Sequence, residues 1–155
     1  MSRWFFTMVL AALVGACAHD KIPRTQIDDT DENREIFRLV KAYEQALESL
    51  DADAVLALVS PNFYENNGNT DDRDDYDFFG LKDNLKRDFQ RTRTLQLDLR
   101  VDAIEVKEDT AFAELYYQIR AQNEYPSGLK WETGSDRTRL RLERIDGKWL
   151  IMAGL

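Results

Sequence analysis

The chain has 155 residues, of which 43% are hydrophobic and 32% are charged, a size and balance that suit one globular domain. Its formal net charge of −8 makes it a poor candidate for binding nucleic acid, which requires a clustered basic face, or anionic lipid headgroups. The single cysteine excludes an intrachain disulfide, and the single histidine, His19, argues against histidine-based acid–base or triad chemistry.

The first sixteen residues have the layout of a secretory signal peptide. Arg3 supplies a short positive region, residues 4–14 are apolar except for Thr7, and Gly15 and Ala16 are small. The apolar run is shorter than the roughly 18 residues that a membrane-spanning helix needs. We therefore expect residues 1–16 to be removed from the mature protein.

Cys17 directly follows this segment. Residues 14–17, with the sequence Val-Gly-Ala-Cys, resemble the lipobox of bacterial lipoproteins. The resemblance implies that Cys17 is the lipid attachment site and that its acyl chains, palmitate among them, anchor the protein to a membrane of the cell envelope. In Gram-negative lipoproteins an aspartate after the cysteine favours the inner membrane. Ala18 stands there instead, which implies the outer membrane, facing the periplasm, if the source is Gram-negative.

The stretch after the cysteine is polar. Residues 17–30 contain Pro23 and the acids Asp20, Asp28 and Asp29. This composition predicts a flexible tether between the lipid and one folded domain over residues 31–155.

Three helices are predicted at the start of the domain. Apolar residues recur at helical spacing over residues 36–50, after a cap at Thr30 or Asp31. A shorter helix is expected within residues 51–60, where an aspartate can cap it and a proline follows. A third helix is expected over residues 81–93.

The loop over residues 65–77 is rich in acids and turn-forming residues. Oxygen-bearing side chains at short, alternate spacing make it a candidate for calcium binding, through Asn67, Asn69, Asp71 and Asp75. The loop is not an EF-hand, because its glycine is misplaced and no glutamate closes it. Such a run is usually a solvated surface loop, and we expect no metal or other cofactor.

The second half of the chain is predicted to be β-sheet. Apolar residues alternate over residues 95–101, and the phase then slips to Ile104, which predicts a bulge near Asp102. Further strands are expected over residues 110–121, 131–143 and 148–153. A turn is expected over residues 123–129, and the Asp-Gly pair at 146–147 predicts a hairpin.

The element order and three short motifs resemble the nuclear transport factor 2-like (NTF2-like) superfamily, which includes SnoaL-like proteins. The motifs are Asp-Ala-Asp-Ala-Val at 51–55, Ser-Pro-Asn-Phe at 60–63 and Asp-Gly-Lys-Trp-Leu-Ile at 146–151. The resemblance implies an α+β cone, in which three N-terminal helices pack on a curved antiparallel β-sheet and enclose a pocket. It also implies that the outer face of the sheet can form a homodimer.

In enzymes of this superfamily a tyrosine and an aspartate lie in the pocket, as donor and base. The residues here that could serve are Tyr43 on the first helix and Asp136 on the third long strand, with Tyr64, Tyr117 and Trp131 as further pocket residues. Alternatively, Tyr43 is an ordinary core aromatic, and Asp136 faces solvent or pairs with a neighbouring arginine. The arginines at 137, 139 and 141 form either an anion-binding face or exposed ion pairs with glutamates on adjacent strands.

Two functions follow from these observations. The first is a non-catalytic, lipid-anchored domain that binds a small apolar ligand or a protein partner. The alternative is a SnoaL-like isomerase, cyclase or hydrolase that uses Tyr43 and Asp136.

Overall fold

In the part of the chain that the structure describes, three helices precede a long antiparallel sheet. The structure, a computed structural model, describes residues 20–68 and 72–155. The elements run in this order: α1 (Asp31–Glu48), α2 (Ala52–Leu56), β1 (Tyr64–Glu65), β2 (Tyr76–Asp77), α3 (Phe78–Arg91), β3 (Thr92–Lys107), β4 (Thr110–Tyr125), β5 (Gly128–Ile145) and β6 (Lys148–Ala153).

Each helix begins at a side chain that accepts a hydrogen bond from its first turn. Thr30 Oγ1 accepts from the backbone N–H of Asn33, which confirms the predicted start of α1. The Asp51 carboxylate does the same for α2. Asp77 accepts from two N–H groups of α3, so this helix begins three residues earlier than its apolar spacing predicts.

The main sheet has the order β3-β4-β5-β6, and every neighbouring pair is antiparallel. The predicted bulge is present, because the β3–β4 register shifts between Val101 and Ala103. The β4–β5 hairpin is longer than predicted. Tyr125 pairs with Gly128, so the turn contains only two residues instead of the expected seven. Gly128 has a φ of +107°, which glycine adopts readily.

The core lies between α1 and the inner face of the sheet. Ile36 and Val40 of α1 are fully buried, as is Ile151 of β6. The segment after α2 joins this core by hydrogen bonding to β6: Ser60 N–H donates to the Ile151 carbonyl, and Ile151 N–H donates to the Leu58 carbonyl. The α2 exit is therefore fixed against the last strand.

The segment before α1 is not the flexible tether predicted from its composition. Ile22 and Ile27 are only 6% and 5% exposed and belong to the core. Ile22 N–H donates to the Ile27 carbonyl, and Lys21 forms a β-bridge with Asp28. Two isoleucines five residues apart bury this turn although the residues around them are polar. Residues 17–19 lie outside the described part of the chain.

The open edge of β3 is covered by side chains of α1. Glu44 accepts from Leu99 N–H, Lys41 donates to the Leu99 carbonyl, and Glu48 accepts from Leu97 N–H. These bonds satisfy backbone groups that would otherwise be available to an added strand. Within residues 20–68 and 72–155, no helix has the length and apolar character needed to cross a membrane.

Candidate functional site

A cavity of about 400 Å³ lies between α1 and the inner face of β3, β4 and β5. Its wall is mostly aliphatic, and two tyrosines and a few polar groups complete it. The lining residues are Tyr43, Leu47, Leu97, Leu99, Leu115, Tyr117, Ile119, Asp136, Arg137, Thr138, Leu140, Gly154 and Leu155. Seven of these thirteen are leucine or isoleucine, so the cavity suits an apolar occupant.

Tyr43 reaches this cavity from the middle of α1. Burial raises the pKa of its hydroxyl above the ordinary value of 10, and the nearby Tyr76 and Tyr117 raise it further. The hydroxyl therefore stays protonated at physiological pH. It makes no hydrogen bond to any residue that the structure describes, so it is free to donate to a molecule in the cavity.

Asp136 lines the same cavity, as its strand position predicts. It lies directly opposite Tyr117 in the β4–β5 register. Its side chain is exposed, and its carboxylate accepts a hydrogen bond of 2.8 Å from the N–H of Arg137. The structure thus brings Tyr43, Tyr117 and Asp136 to one cavity, although no hydrogen bond joins the three.

One wall of the cavity is formed by residues 154–155, which three side chains hold in place. Glu65 accepts a 2.5 Å hydrogen bond from Gly154 N–H, and Thr138 donates to the Gly154 carbonyl at 3.1 Å. Tyr76 donates to the Leu155 carbonyl at 3.2 Å. The sequence pattern does not point to Tyr76, because it lies in the acidic loop region and shows no apolar period.

Tyr64 and Trp131 do not line this cavity, contrary to the prediction. Tyr64 is 54% exposed, and its hydroxyl donates to the Asp75 carboxylate, which raises the tyrosine pKa. Trp131 is 47% exposed and lies under the Arg120 guanidinium, 4.3 Å from the ring centre. The two-residue period of β5 explains Trp131: it has the opposite parity to Asp136 and therefore lies on the outer face.

The predicted calcium set is only partly described. Asn67 donates through its side-chain amide to the Asp74 carbonyl at 2.8 Å, and Asp75 accepts from Tyr64. Asn69 and Asp71 lie outside the described residues. Over residues 20–68 and 72–155, no three histidine, cysteine, aspartate or glutamate side chains are placed to hold a metal ion.

Two arginines of β5 form ion pairs on the outer face of the sheet. Arg139 forms an ion pair with Glu114 on β4, and Arg137 forms one with Asp102 at the bulge of β3. The predicted pairing with acids on adjacent strands is therefore present for Arg139. Cys17, the predicted lipid attachment site, and His19, the single histidine, lie outside the described part of the chain.

No protein-family model matches the chain, and no curated protein matches it in sequence. Similar solved structures do exist. An NTF2-like family protein from Streptomyces avermitilis has a TM-score of 0.65 and 14% identity, over 79% of this chain and 93% of that one. A ketosteroid isomerase-like protein from Erwinia carotovora atroseptica has a TM-score of 0.62 and 15% identity, over 81% and 94%.

An NTF2-like superfamily protein from Salmonella enterica serovar Typhimurium has a TM-score of 0.63 and 16% identity, over 78% of this chain and 86% of that one. At these identities the likeness concerns the fold alone. The helices, the curved antiparallel sheet and the cavity between them give this chain the NTF2-like, or ketosteroid isomerase-like, fold.

Proposed function

We propose that this protein is a lipid-anchored envelope protein whose NTF2-like domain binds a small, largely apolar molecule in the cavity under α1. The main support is the composition of that cavity. Its volume of about 400 Å³ lies in the range of roughly 300–1,000 Å³ found for small-molecule sites. Its mostly aliphatic wall carries the hydroxyls of Tyr43 and Tyr117, neither of which is hydrogen-bonded to a described residue, and the carboxylate of Asp136.

Binding is favoured over catalysis by the setting of Asp136. A carboxylate base works best when an apolar wall raises its pKa toward the working pH. Asp136 is exposed and already accepts a hydrogen bond from its neighbour's N–H. A group in this setting suits orientation of a polar end of the ligand better than abstraction of a proton.

The anchor is proposed at Cys17, on the sequence resemblance to bacterial lipoproteins. The described fold begins at Asp20, three residues later, and three extended residues span only about 10 Å. The domain would then lie close to the bilayer surface, at the outer membrane and facing the periplasm in a Gram-negative cell. A Cys17→Ser variant should lose labelling by radioactive palmitate and keep its signal peptide. Unchanged labelling would contradict the assignment.

The binding proposal is tested with a neutral apolar probe, N-phenyl-1-naphthylamine, whose fluorescence rises on burial. The full chain in detergent should bind it saturably. An Ile119→Trp substitution places a large ring on the cavity wall and should weaken binding at least about tenfold. The matched control is Gln118→Trp, one residue away on the opposite face of β4, which should change the affinity less than twofold. Equal affinities for the two variants would overturn the proposal.

The alternative is a SnoaL-like isomerase, cyclase or hydrolase, favoured by the shared cavity of Tyr43 and Asp136. Tyr43 would donate to a developing oxyanion, and Asp136 would remove a proton next to a carbonyl. Exchange of the α-proton of a small aryl ketone in deuterated water, followed by NMR, tests this chemistry. An enzyme should lose at least about 100-fold in rate in Asp136→Asn. Exchange no faster than in buffer would contradict this alternative.

A homodimer or a protein partner on the outer sheet face is compatible with either function. Sedimentation equilibrium of the full chain in detergent measures the oligomeric state directly. An Arg139→Glu substitution on that face should dissociate a dimer built on it, and it leaves the inner cavity unchanged.

A further inference from the structure

A second depression lies at the opposite face of the same strands. Its volume is about 820 Å³, and it is formed where the turn before α1 and the side of α1 meet the edge strand β3 and the outer face of the sheet. We call it the basic cleft. Its lining residues are Pro23, Arg24, Thr25, Phe37, Lys41, Asp98, Arg100, Val101, Tyr116, Gln118 and Arg137.

The cleft is positive although the chain is strongly acidic. Four of its lining side chains are cationic, and only one, Asp98, is anionic, whereas the whole chain has a net charge of −8. Two more carboxylates, Asp102 and Glu44, form ion pairs with these cations but do not line the cleft. A cleft lined mainly by one sign of charge concentrates its field and attracts the opposite charge.

The two arginines on the sheet side share one carboxylate and one aromatic ring. Arg100 Nε donates to Asp102 at 2.7 Å, and Arg137 Nη1 donates to the other oxygen of the same carboxylate at 3.0 Å. Both guanidinium groups also lie against the Tyr116 ring, at 5.0 Å and 5.9 Å from its centre. One carboxylate satisfies only some of their N–H donors, since each guanidinium has five. The remaining side-chain donors make no hydrogen bond to a described residue.

The opposite side of the cleft supplies separate cations. Arg24 lies in the turn before α1, is exposed and makes no ion pair or hydrogen bond with any described residue. Lys41 donates to Glu44 and to the Leu99 carbonyl, which leaves one of its three ammonium donors. The cationic groups thus stand on two sides of an open space, which a ligand with a single charge would bridge poorly.

We propose that the basic cleft binds a ligand with two or more carboxylate or phosphate groups, one held by Arg100 and Arg137 and another by Arg24. Guanidinium groups match the geometry of both kinds of anion, and such charge-assisted hydrogen bonds are the strong ones. The basic cleft and the apolar cavity share Arg137 in their linings, but Arg24, Lys41 and Arg100 line the cleft alone, so Arg24→Gln tests the proposal separately from the cavity. A phosphate can come from a soluble molecule or from a lipid headgroup, and the experiment distinguishes these sources.

The test is isothermal titration of the full chain in detergent with inorganic pyrophosphate and with citrate. Acetate at equal ionic strength is the monovalent comparison. Pyrophosphate or citrate should bind saturably, and Arg137→Gln and Arg24→Gln should each weaken binding at least about fivefold. The matched control is Arg120→Gln, which removes the same charge from the same face of the sheet, outside the cleft. It should change the affinity less than twofold.

The source of the anion is tested by flotation with phosphatidylcholine vesicles, with and without phosphatidylglycerol. A loss of binding to the anionic vesicles in Arg24→Gln, but not in Arg120→Gln, identifies a lipid headgroup. A loss confined to pyrophosphate and citrate identifies a soluble ligand. Arg24→Gln breaks no described contact, so it remains informative if Arg137→Gln unfolds. The proposal is refuted if neither anion binds at millimolar concentration, or if Arg120→Gln weakens binding as much as the cleft variants.

Discussion

Adding one methyl group at Gly154 should strongly destabilise the fold. Its φ is +96°, a conformation that side chains with a Cβ rarely adopt. A Cβ built there would lie 2.9 Å from the carbonyl carbon of Arg139, closer still to the carbonyl oxygen, and 3.1 Å from the Cα of Leu140. These are backbone atoms of a paired strand, so they cannot rotate out of the way as a side chain could.

The cost of Gly154→Ala can be estimated in two parts. The left-handed conformation costs about 1–2 kcal/mol for alanine. Overpacking against a fixed neighbour costs about 1–3 kcal/mol more. If the backbone moves away instead, Gly154 gives up its hydrogen bonds to Glu65 and Thr138 and leaves Glu65 without that donor, a loss of similar size. We therefore expect the free energy of unfolding to fall by about 2–5 kcal/mol.

Urea unfolding followed by circular dichroism measures this change, with Gly147→Ala as the control. Gly147 has a φ of +77°, but a Cβ there meets no atom within 4 Å. It therefore isolates the conformational cost of about 1–2 kcal/mol. Gly154→Ala should also weaken binding of N-phenyl-1-naphthylamine, because residues 154–155 form a cavity wall. If both variants lose the same stability, the close approach of Gly154 to β5 has been misjudged.

Three further predictions concern α1. Thr30→Ala removes the cap on Asn33 N–H and should lower the free energy of unfolding by about 1 kcal/mol in urea, whereas Thr30→Ser should not. Glu44→Ala leaves Leu99 N–H without its acceptor, so it should speed hydrogen exchange of that amide and lower the free energy of unfolding by about 1–2 kcal/mol. Glu44→Gln keeps an acceptor oxygen and should retain most of the wild-type stability. The raised pKa of Tyr43 favours the folded state below pH 10, and this contribution is lost as pH rises through the folded pKa. Tyr43→Phe should therefore show a smaller loss of stability above pH 10, and an unchanged alkaline profile would contradict the burial of this hydroxyl.

Elements defined by local chemistry could be predicted from the sequence. The caps of α1 and α2, the bulge near Asp102 and the hairpin at residues 146–147 all depend on side chains within a few residues of each other. The inner placement of Asp136 also follows from local information, because the two-residue period of a strand fixes its face once Leu140 is known to be buried.

Features that depend on distant partners could not be predicted. The turn holding Ile22 and Ile27 is buried by packing on the core, which composition cannot show. The β4–β5 hairpin extends past Asn123 because that side chain finds Thr92 and Glu132 as partners. Tyr76 and Glu65 support the cavity wall only through hydrogen bonds to residues 79 and 89 positions away. From the sequence alone, such a polar side chain is assigned to a loop, because its distant partner is not known.

Strand alternation also connects the two proposed sites. Tyr116 lies in the basic cleft and Tyr117 in the apolar cavity, and the Asp136 carboxylate accepts from the backbone of Arg137, whose side chain reaches the outer face. The net charge of the chain therefore does not predict the character of either sheet face, because consecutive residues of a strand lie on opposite faces and differ in polarity. Substitutions at adjacent positions should separate the two sites. Tyr117→Ala should weaken binding of the neutral probe and spare pyrophosphate, and Tyr116→Ala should do the reverse, because it removes the ring that supports the two arginines. Apart from Arg137, which lines both sites, any residue whose substitution weakens both ligands equally must act through the strands themselves.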